Sequence, residues 1–115
     1  MPYLLYGYIR GATEDRVDKL EIIMKKISDR CNFTVKNKSF TAFEPYGGSG
    51  VLTLAESHFI TTHTYLEDDL IYIDVFCCAS NFNPELCSQI IEEEFNATSG
   101  HWTAVDRTPH VSQDI

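Results

Sequence analysis

The sequence has few basic residues and no segment in which they cluster. Lysine and arginine number 9, against 17 aspartate and glutamate residues, so the 115-residue chain has a formal net charge of −8. Such a charge repels a phosphate backbone and argues against a nucleic-acid partner. Solubility is the simpler consequence of the acidity, and attraction of a cationic small molecule is the alternative.

Long apolar runs and paired cysteine motifs are also missing. No window approaches the ~20 apolar residues that span a bilayer, and the first residues lack the basic start and apolar run of a signal peptide. The four cysteines form no C-x-x-C pair, so we expect no metal site, no membrane partner and free thiols. These features favour a cytoplasmic protein.

The chain has the length of one domain, residues 1–115, and its apolar fraction of 43% is typical of a globular protein. Apolar residues at helical spacing predict a helix over 13–30 and a second helix that starts at Asn83-Pro84. Alternating and β-branched segments predict strands near 3–9, 31–43, 51–54, 59–65, 70–78 and 101–107. Asn37-Lys38 is the expected turn within the second of these segments.

Two helices can cover only one face of such a sheet. The predicted fold is therefore α+β, a two-layer α/β sandwich in which an antiparallel sheet carries both helices on one face. The other face needs a cover, and a second copy of the chain is the simplest one. We accordingly expect a homodimer.

The polar triplet Glu56-Ser57-His58 separates two apolar segments and follows a glycine-rich turn at residues 47–50. Buried polar groups need partners, so the triplet indicates either chemistry or a surface turn between two strands. A serine hydroxyl can attack the neighbouring carbonyl and move the acyl group from nitrogen to oxygen. Loss of the α-proton then expels Glu56 as a carboxylate, and hydrolysis of the resulting dehydroalanine leaves a pyruvoyl group. Its ketone can form a Schiff base and act as an electron sink, which suits decarboxylation of an amino acid.

Four segments, in this order and at close spacing, resemble the small prokaryotic-type S-adenosylmethionine decarboxylase family: 43–51, 56–58, 63–67 and 73–78. The resemblance implies a proenzyme that cleaves itself before the serine of a Glu-Ser-His sequence. It implies a self-derived pyruvoyl cofactor and decarboxylation of S-adenosylmethionine for spermidine and polyamine synthesis. It also implies a two-layer α/β sandwich, assembled as a dimer of cleaved protomers.

Roles in processing follow from the same resemblance. Ser57 would become the pyruvoyl group, and Glu56 would end the β-chain (1–56), leaving 57–115 as the α-chain. His63 would remove the α-proton from the ester. Ser49 would assist processing near the ester, although a plain turn residue is the alternative for it.

Roles in turnover are implied for four further residues. Cys78 would protonate the α-carbon after carbon dioxide leaves, and only one of the adjacent Cys77 and Cys78 can face the site. Phe43 would stack on adenine, and Glu67 would hold the ribose hydroxyls. Tyr65 stands in the substrate site, where the family has tryptophan.

The chain departs from the family pattern at the spacing between Ser57 and His63, which is six residues and one more than expected. An extra residue in a strand reverses the face of every later side chain unless a bulge absorbs it. We therefore predict a bulge around residues 59–62. Changes on the substrate side, at Tyr65, Leu66 and Ala79, leave open a pyruvoyl-dependent decarboxylase of arginine or ornithine. The displaced histidine leaves open a second alternative, an unprocessed, non-catalytic homologue.

Overall fold

The computed structural model describes residues 2–12, 17–43, 47–55, 57–65 and 69–109, with the backbone alone for 17, 18, 43 and 57–65. This part of the chain contains six strands and two helices, and four of the strands follow one another between the helices. They are β1 (Tyr3–Arg10), α1 (Val17–Arg30), β2 (Val35–Phe43), β3 (Gly47–Leu54), β4 (Ser57–Tyr65), β5 (Leu70–Cys77), α2 (Pro84–Glu94) and β6 (Ser99–Asp106).

The strands form one antiparallel sheet in the order β2-β3-β4-β5-β1-β6. Where side chains are described, the helix-covered face is apolar, because the alternate strand residues that point towards α1 and α2 are hydrophobic. In β5, for example, Ile71, Ile73 and Val75 are buried, whereas Tyr72 and Asp74 between them are exposed. Helix α1 packs on β2 and β3, α2 packs on β1 and β6, and the two helices contact each other. The predicted two-layer α+β architecture is confirmed.

The sequence signals at the helix ends agree with the structure where it describes them. Asn83 caps α2, since its side-chain oxygen accepts a hydrogen bond from the amide of Leu86 at 3.1 Å, and Pro84 follows in the first turn. Helix α1 is described from Val17 onward, and residues 13–16 of the predicted helix lie outside the described residues. In the described ranges, neither helix is long and apolar enough to cross a membrane.

The turn predicted at Asn37-Lys38 is wrong. Strand β2 continues through these residues and pairs with β3 from Val35 opposite Leu54 to Phe43 opposite Gly47. The register shifts between Val35 and Asn37, and the Asn37 side chain accepts a hydrogen bond from the Lys38 amide at 2.8 Å. The turn signal therefore marks a local irregularity that the long pairing with β3 overrides.

The glycine-rich turn predicted at residues 47–50 is also wrong, because these residues form the first half of β3. A Cβ atom added to Gly50 would lie 2.5 Å from Cε1 of Phe40 and 2.7 Å from Sδ of Met24. Glycine is needed here because the Phe40 ring of β2 and the Met24 side chain of α1 lie close to its Cα, and not because the chain reverses.

Neither of the two described helices lies on the opposite face of the sheet, which exposes large side chains. Tyr6 is 41% exposed, Tyr72 45% and Val105 38%. This open face is the one for which the sequence predicts a second copy as cover.

Candidate functional site

The peptide bond between Glu56 and Ser57 lies in the connection between β3 and β4. Strand β3 ends at Leu54 and β4 begins at Ser57, so the polar triplet does not interrupt a single strand. The Ala55 amide donates a hydrogen bond to the Thr34 carbonyl at 2.8 Å, which ties the end of β3 to the residue before β2. Glu56 itself lies outside the described residues.

A register shift occurs at the start of β4. Ser57 is opposite Cys77 of β5, and Phe59 is opposite Phe76, so β4 contains one residue more than its partner over this interval. A bulge of this kind was expected from the extra residue before His63. The irregularity lies between Ser57 and Phe59, at the leading edge of the predicted range 59–62 and not within it.

The shift determines the partners of His63. Its backbone position is opposite Ser49 of β3 on one side and Tyr72 of β5 on the other. Both partners of His63 belong to the face of the sheet that points away from the helices. On that face Ser49 is half-buried and Tyr72 is exposed. The extra residue is absorbed before His63, and the register beyond it is regular.

The candidate residues fall into two groups along β4. Ser57 and Cys77 lie at one end of the paired strands, and His63 with Ser49 lies towards the other. Six strand residues at about 3.3 Å each separate the Ser57 and His63 backbones by roughly 20 Å. A single chain therefore does not bring these two residues together.

The substrate residues predicted from sequence lie near the His63 end. Tyr65 is opposite Leu70, and Phe43 is opposite Gly47, two residues before Ser49 in β3. Glu67 lies outside the described residues. From the acidic segment that contains it, Asp69 is described, and its Oδ2 accepts a hydrogen bond from the Gly11 amide at 3.0 Å.

The adjacent cysteines at the end of β5 have different surroundings. Cys77 is fully buried on the helix-covered side, whereas Cys78 is exposed directly after the strand. Cys78 is therefore the thiol that solvent and a small molecule can reach beside the Ser57–Cys77 pair. Within the described residues, no three His, Cys, Asp or Glu side chains form a group that could hold a metal ion.

Sequence reasoning missed a row of rings beside His63 on the open face. Tyr72 is opposite Tyr8, and Tyr8 is opposite His101. The Tyr8 ring lies 6.0 Å from Tyr72, edge to face, and stacks on His101 at 4.9 Å between ring centroids. The alternation of residues along each strand predicts which face a ring lies on. It does not predict that Tyr72, Tyr8 and His101 are neighbours, because that depends on the sheet order β5-β1-β6.

Comparison with known proteins identifies relatives over most of the chain. The family model for S-adenosylmethionine decarboxylase matches residues 6–108. An S-adenosylmethionine decarboxylase proenzyme of Pyrococcus horikoshii is 37% identical over 90 residues, which are 78% of this chain and 64% of that protein. The corresponding proenzyme of Moorella thermoacetica is 33% identical over 91 residues, 79% of this chain and 72% of that one.

The chain spans just under two thirds of some curated relatives, 64% of the Pyrococcus horikoshii protein and 63% of that from Fervidobacterium nodosum. The fold is similar to that in the crystal structure of the adenosylmethionine decarboxylase from Aquifex aeolicus. The TM-score is 0.79 at 20% sequence identity, over 96% of this chain and 97% of that one. Because the family model covers nearly the whole chain, the protein belongs to the S-adenosylmethionine decarboxylase family.

Proposed function

We propose that the chain is the proenzyme of a pyruvoyl-dependent S-adenosylmethionine decarboxylase, which supplies the aminopropyl donor for spermidine synthesis in the cytoplasm. Family membership supports this activity. The observation that carries the proposal is the pairing at the start of β4. Ser57 follows a chain reversal and is opposite Cys77, so the exposed Cys78 comes next to the Ser57 position.

Processing is an acyl shift followed by an elimination. The Ser57 hydroxyl attacks the Glu56 carbonyl carbon, the peptide C–N bond breaks, and an ester forms. His63 takes the α-proton of residue 57, and the ester C–O bond breaks to leave Glu56 as a free carboxylate. Water then replaces the nitrogen of the dehydroalanine, ammonia leaves, and residue 57 becomes a pyruvoyl group.

The residues of this chain suit the group once it has formed. The pyruvoyl carbonyl supplies the electron sink for decarboxylation. Cys78 returns a proton to the α-carbon, a task that suits a thiol because its pKa can be brought near the working pH. Phe43 and Tyr65 offer aromatic rings to the adenine, and the Glu67 carboxylate accepts hydrogen bonds from the ribose hydroxyls.

The functional unit is a homodimer whose sites combine residues of both copies. The spacing along β4 supports this, because Ser57 and His63 of one chain are roughly 20 Å apart. The open face supports it too, since Tyr6 and Tyr72 are exposed there and neither α1 nor α2 covers them. Two open faces packed in opposite directions bring the Ser57 end of one copy towards the His63 end of the other.

Mixed dimers test this arrangement. Ser57→Ala and His63→Ala chains with different tags are expressed separately and together. Neither variant cleaves alone. Together, the His63→Ala chain is cleaved, because its Ser57 receives His63 of the partner copy, while the Ser57→Ala chain stays intact. Absence of cleavage in co-purified mixed dimers would refute a shared site.

The activity itself is tested by intact mass and by release of labelled carbon dioxide. Wild-type protein should give a fragment that ends at Glu56 and one with a blocked first residue. S-adenosylmethionine should be decarboxylated in preference to arginine and ornithine. A preference for arginine or ornithine would identify the alternative decarboxylase, and a chain that stays uncleaved would identify the non-catalytic homologue.

A further inference from the structure

Two cysteines far apart in sequence meet between the helices. Cys31 directly follows α1, where its amide donates to the Ile27 carbonyl at 2.9 Å, and Cys87 lies in the first turn of α2. Their Sγ atoms are 3.8 Å apart, across 56 residues of sequence, and the two thiols are hydrogen-bonded. The proposed decarboxylation uses neither thiol.

The segments that carry the pair are held together by a second contact. Arg30, next to Cys31, donates to Glu93 Oε1 at 2.7 Å and to Glu94 Oε2 at 2.9 Å in the last turn of α2. The end of α1 is thus fixed against α2 at two places. To reach the ~2.05 Å of a disulfide, the two sulfurs must approach from 3.8 Å.

A cavity gives small molecules access to the pair. It has a volume of about 230 Å³ and is lined by Cys31, Cys87 and Cys77, with Phe33 and Phe82 among its walls. Both cysteines line this cavity, and Cys31 is half-buried whereas Cys87 is buried. A peroxide or a small disulfide entering the cavity meets Cys31 first.

We propose that Cys31 and Cys87 form a redox-active dithiol, which closes to an intramolecular disulfide when a peroxide or a low-molecular-weight disulfide enters this cavity. With hydrogen peroxide, the Cys31 thiolate attacks one oxygen and the O–O bond breaks, which gives a sulfenic acid and a hydroxide; the hydroxide takes up the proton that the Cys31 thiol released and becomes water. The Cys87 sulfur then attacks the Cys31 sulfur, the S–O bond breaks, and a second water leaves. Both sulfurs are oxidised, and the peroxide is reduced to two waters. With a low-molecular-weight disulfide, the Cys31 thiolate attacks one of its sulfurs and displaces one thiol, and Cys87 then attacks the Cys31 sulfur and displaces the second thiol.

The electrostatics assign the two roles. The hydrogen bond between the two thiols lowers the pKa of Cys31, with help from the nearby Arg30 charge and against the effect of burial. The same hydrogen bond, followed by burial, raises the pKa of Cys87 far above its ordinary value. Cys31 is accordingly the attacking thiolate, and Cys87 is the resolving thiol.

The disulfide has a consequence for the processed protein. Cys31 precedes the peptide bond between Glu56 and Ser57, and Cys87 follows it. Oxidation therefore links the two halves of a cleaved chain covalently. This consequence rests on the proposed cleavage, whereas the dithiol does not, so the first test uses the uncleaved Ser57→Ala chain.

The experiment is thiol mapping of the full chain after oxidation. Reduced Ser57→Ala protein is treated with hydrogen peroxide or oxidised glutathione, unfolded, alkylated and digested. We expect a peptide that joins Cys31 to Cys87, two of the four thiols protected, and full reversal by a reducing agent. The exposed Cys78 provides the matched control, since Cys78→Ser should leave the joined peptide unchanged and Cys31→Ser should abolish it.

Two results would overturn the proposal. One is that Cys31 and Cys87 both remain alkylated at an oxidant dose that consumes Cys78. The other is that Cys87 is found joined to Cys77. Thiol mapping of the chain that keeps all four cysteines needs no cysteine variant. The test therefore remains valid even if the Cys31→Ser protein fails to fold. On a denaturing gel, the cleaved fragments of oxidised wild-type protein should run as one band without reductant and as two bands with it. Two bands under both conditions, with the joined peptide still found in the Ser57→Ala chain, would count against a disulfide link between the halves.

Discussion

The two halves that self-cleavage would produce are interleaved in the sheet. Strand β1 belongs to the first half, yet it lies between β5 and β6 of the second half and pairs with each of them over eight positions. Strands β3 and β4 pair across the junction, and α1 packs on α2. Breaking one peptide bond therefore leaves the sheet and the core intact, and the halves should stay associated without a covalent link.

Ile9→Ala measures how strongly β1 holds the halves together. Ile9 is fully buried in the core, and truncating a buried isoleucine to alanine costs about 2–5 kcal/mol. A loss of about 3 kcal/mol corresponds to roughly 100-fold weaker association of the cleaved halves, since about 1.4 kcal/mol is tenfold. In the uncleaved Ser57→Ala background the same loss should lower Tm by roughly 12 °C.

The assay is native mass spectrometry of cleaved protein over a dilution series, with thermal unfolding of the uncleaved chain beside it. Ile22→Ala is the matched control, because Ile22 lies on α1 and is 54% exposed. This substitution should change neither the free energy of association of the halves nor the free energy of unfolding by more than a few tenths of a kcal/mol. The reasoning fails if wild-type halves separate on dilution without denaturant, or if Ile9→Ala lowers Tm but leaves the association of the halves unchanged.

Three further substitutions have defined outcomes. Gly50→Ala should cost about 1–3 kcal/mol in urea unfolding, because its Cβ meets Phe40 and Met24; an unchanged midpoint would contradict the close approach of α1. Asn83→Ala should cost ~1 kcal/mol by the same measurement, since it removes the cap of α2, and a stability equal to wild type would argue against the capping role. Cys78→Ala should leave self-cleavage intact by mass and slow carbon dioxide release roughly 100-fold, as expected when a proton donor is lost; an unaltered rate would exclude Cys78 from turnover.

Local sequence signals predicted what depends on neighbours along the chain. The cap and first turn of α2, the alternation of β5 and the two-layer architecture all follow from patterns of a few residues, and the structure agrees with them. The extra residue before His63 likewise predicted a bulge, because side-chain alternation in a strand has a period of two. The bulge lies closer to Ser57 than predicted, because the number of residues indicates that a bulge is required but not where it forms.

Local turn signals gave wrong predictions where the structure depends on partners distant in sequence. Asn37-Lys38 and the glycines at 47–50 have the composition of turns, yet both segments are strands, because pairing with a neighbouring strand and packing under α1 outweigh local preference.

The chemistry of the polar triplet can be predicted from the sequence alone, since a serine needs only the carbonyl beside it to begin the acyl shift. What the sequence could not supply was the arrangement of everything else. Sheet order alone places β1 between two strands from the other side of the junction, and helix packing decides which face of the sheet α1 and α2 cover. Helix packing alone brings Cys31 to Cys87. These contacts join residues with no fixed spacing along the chain, so only the three-dimensional fold determines them.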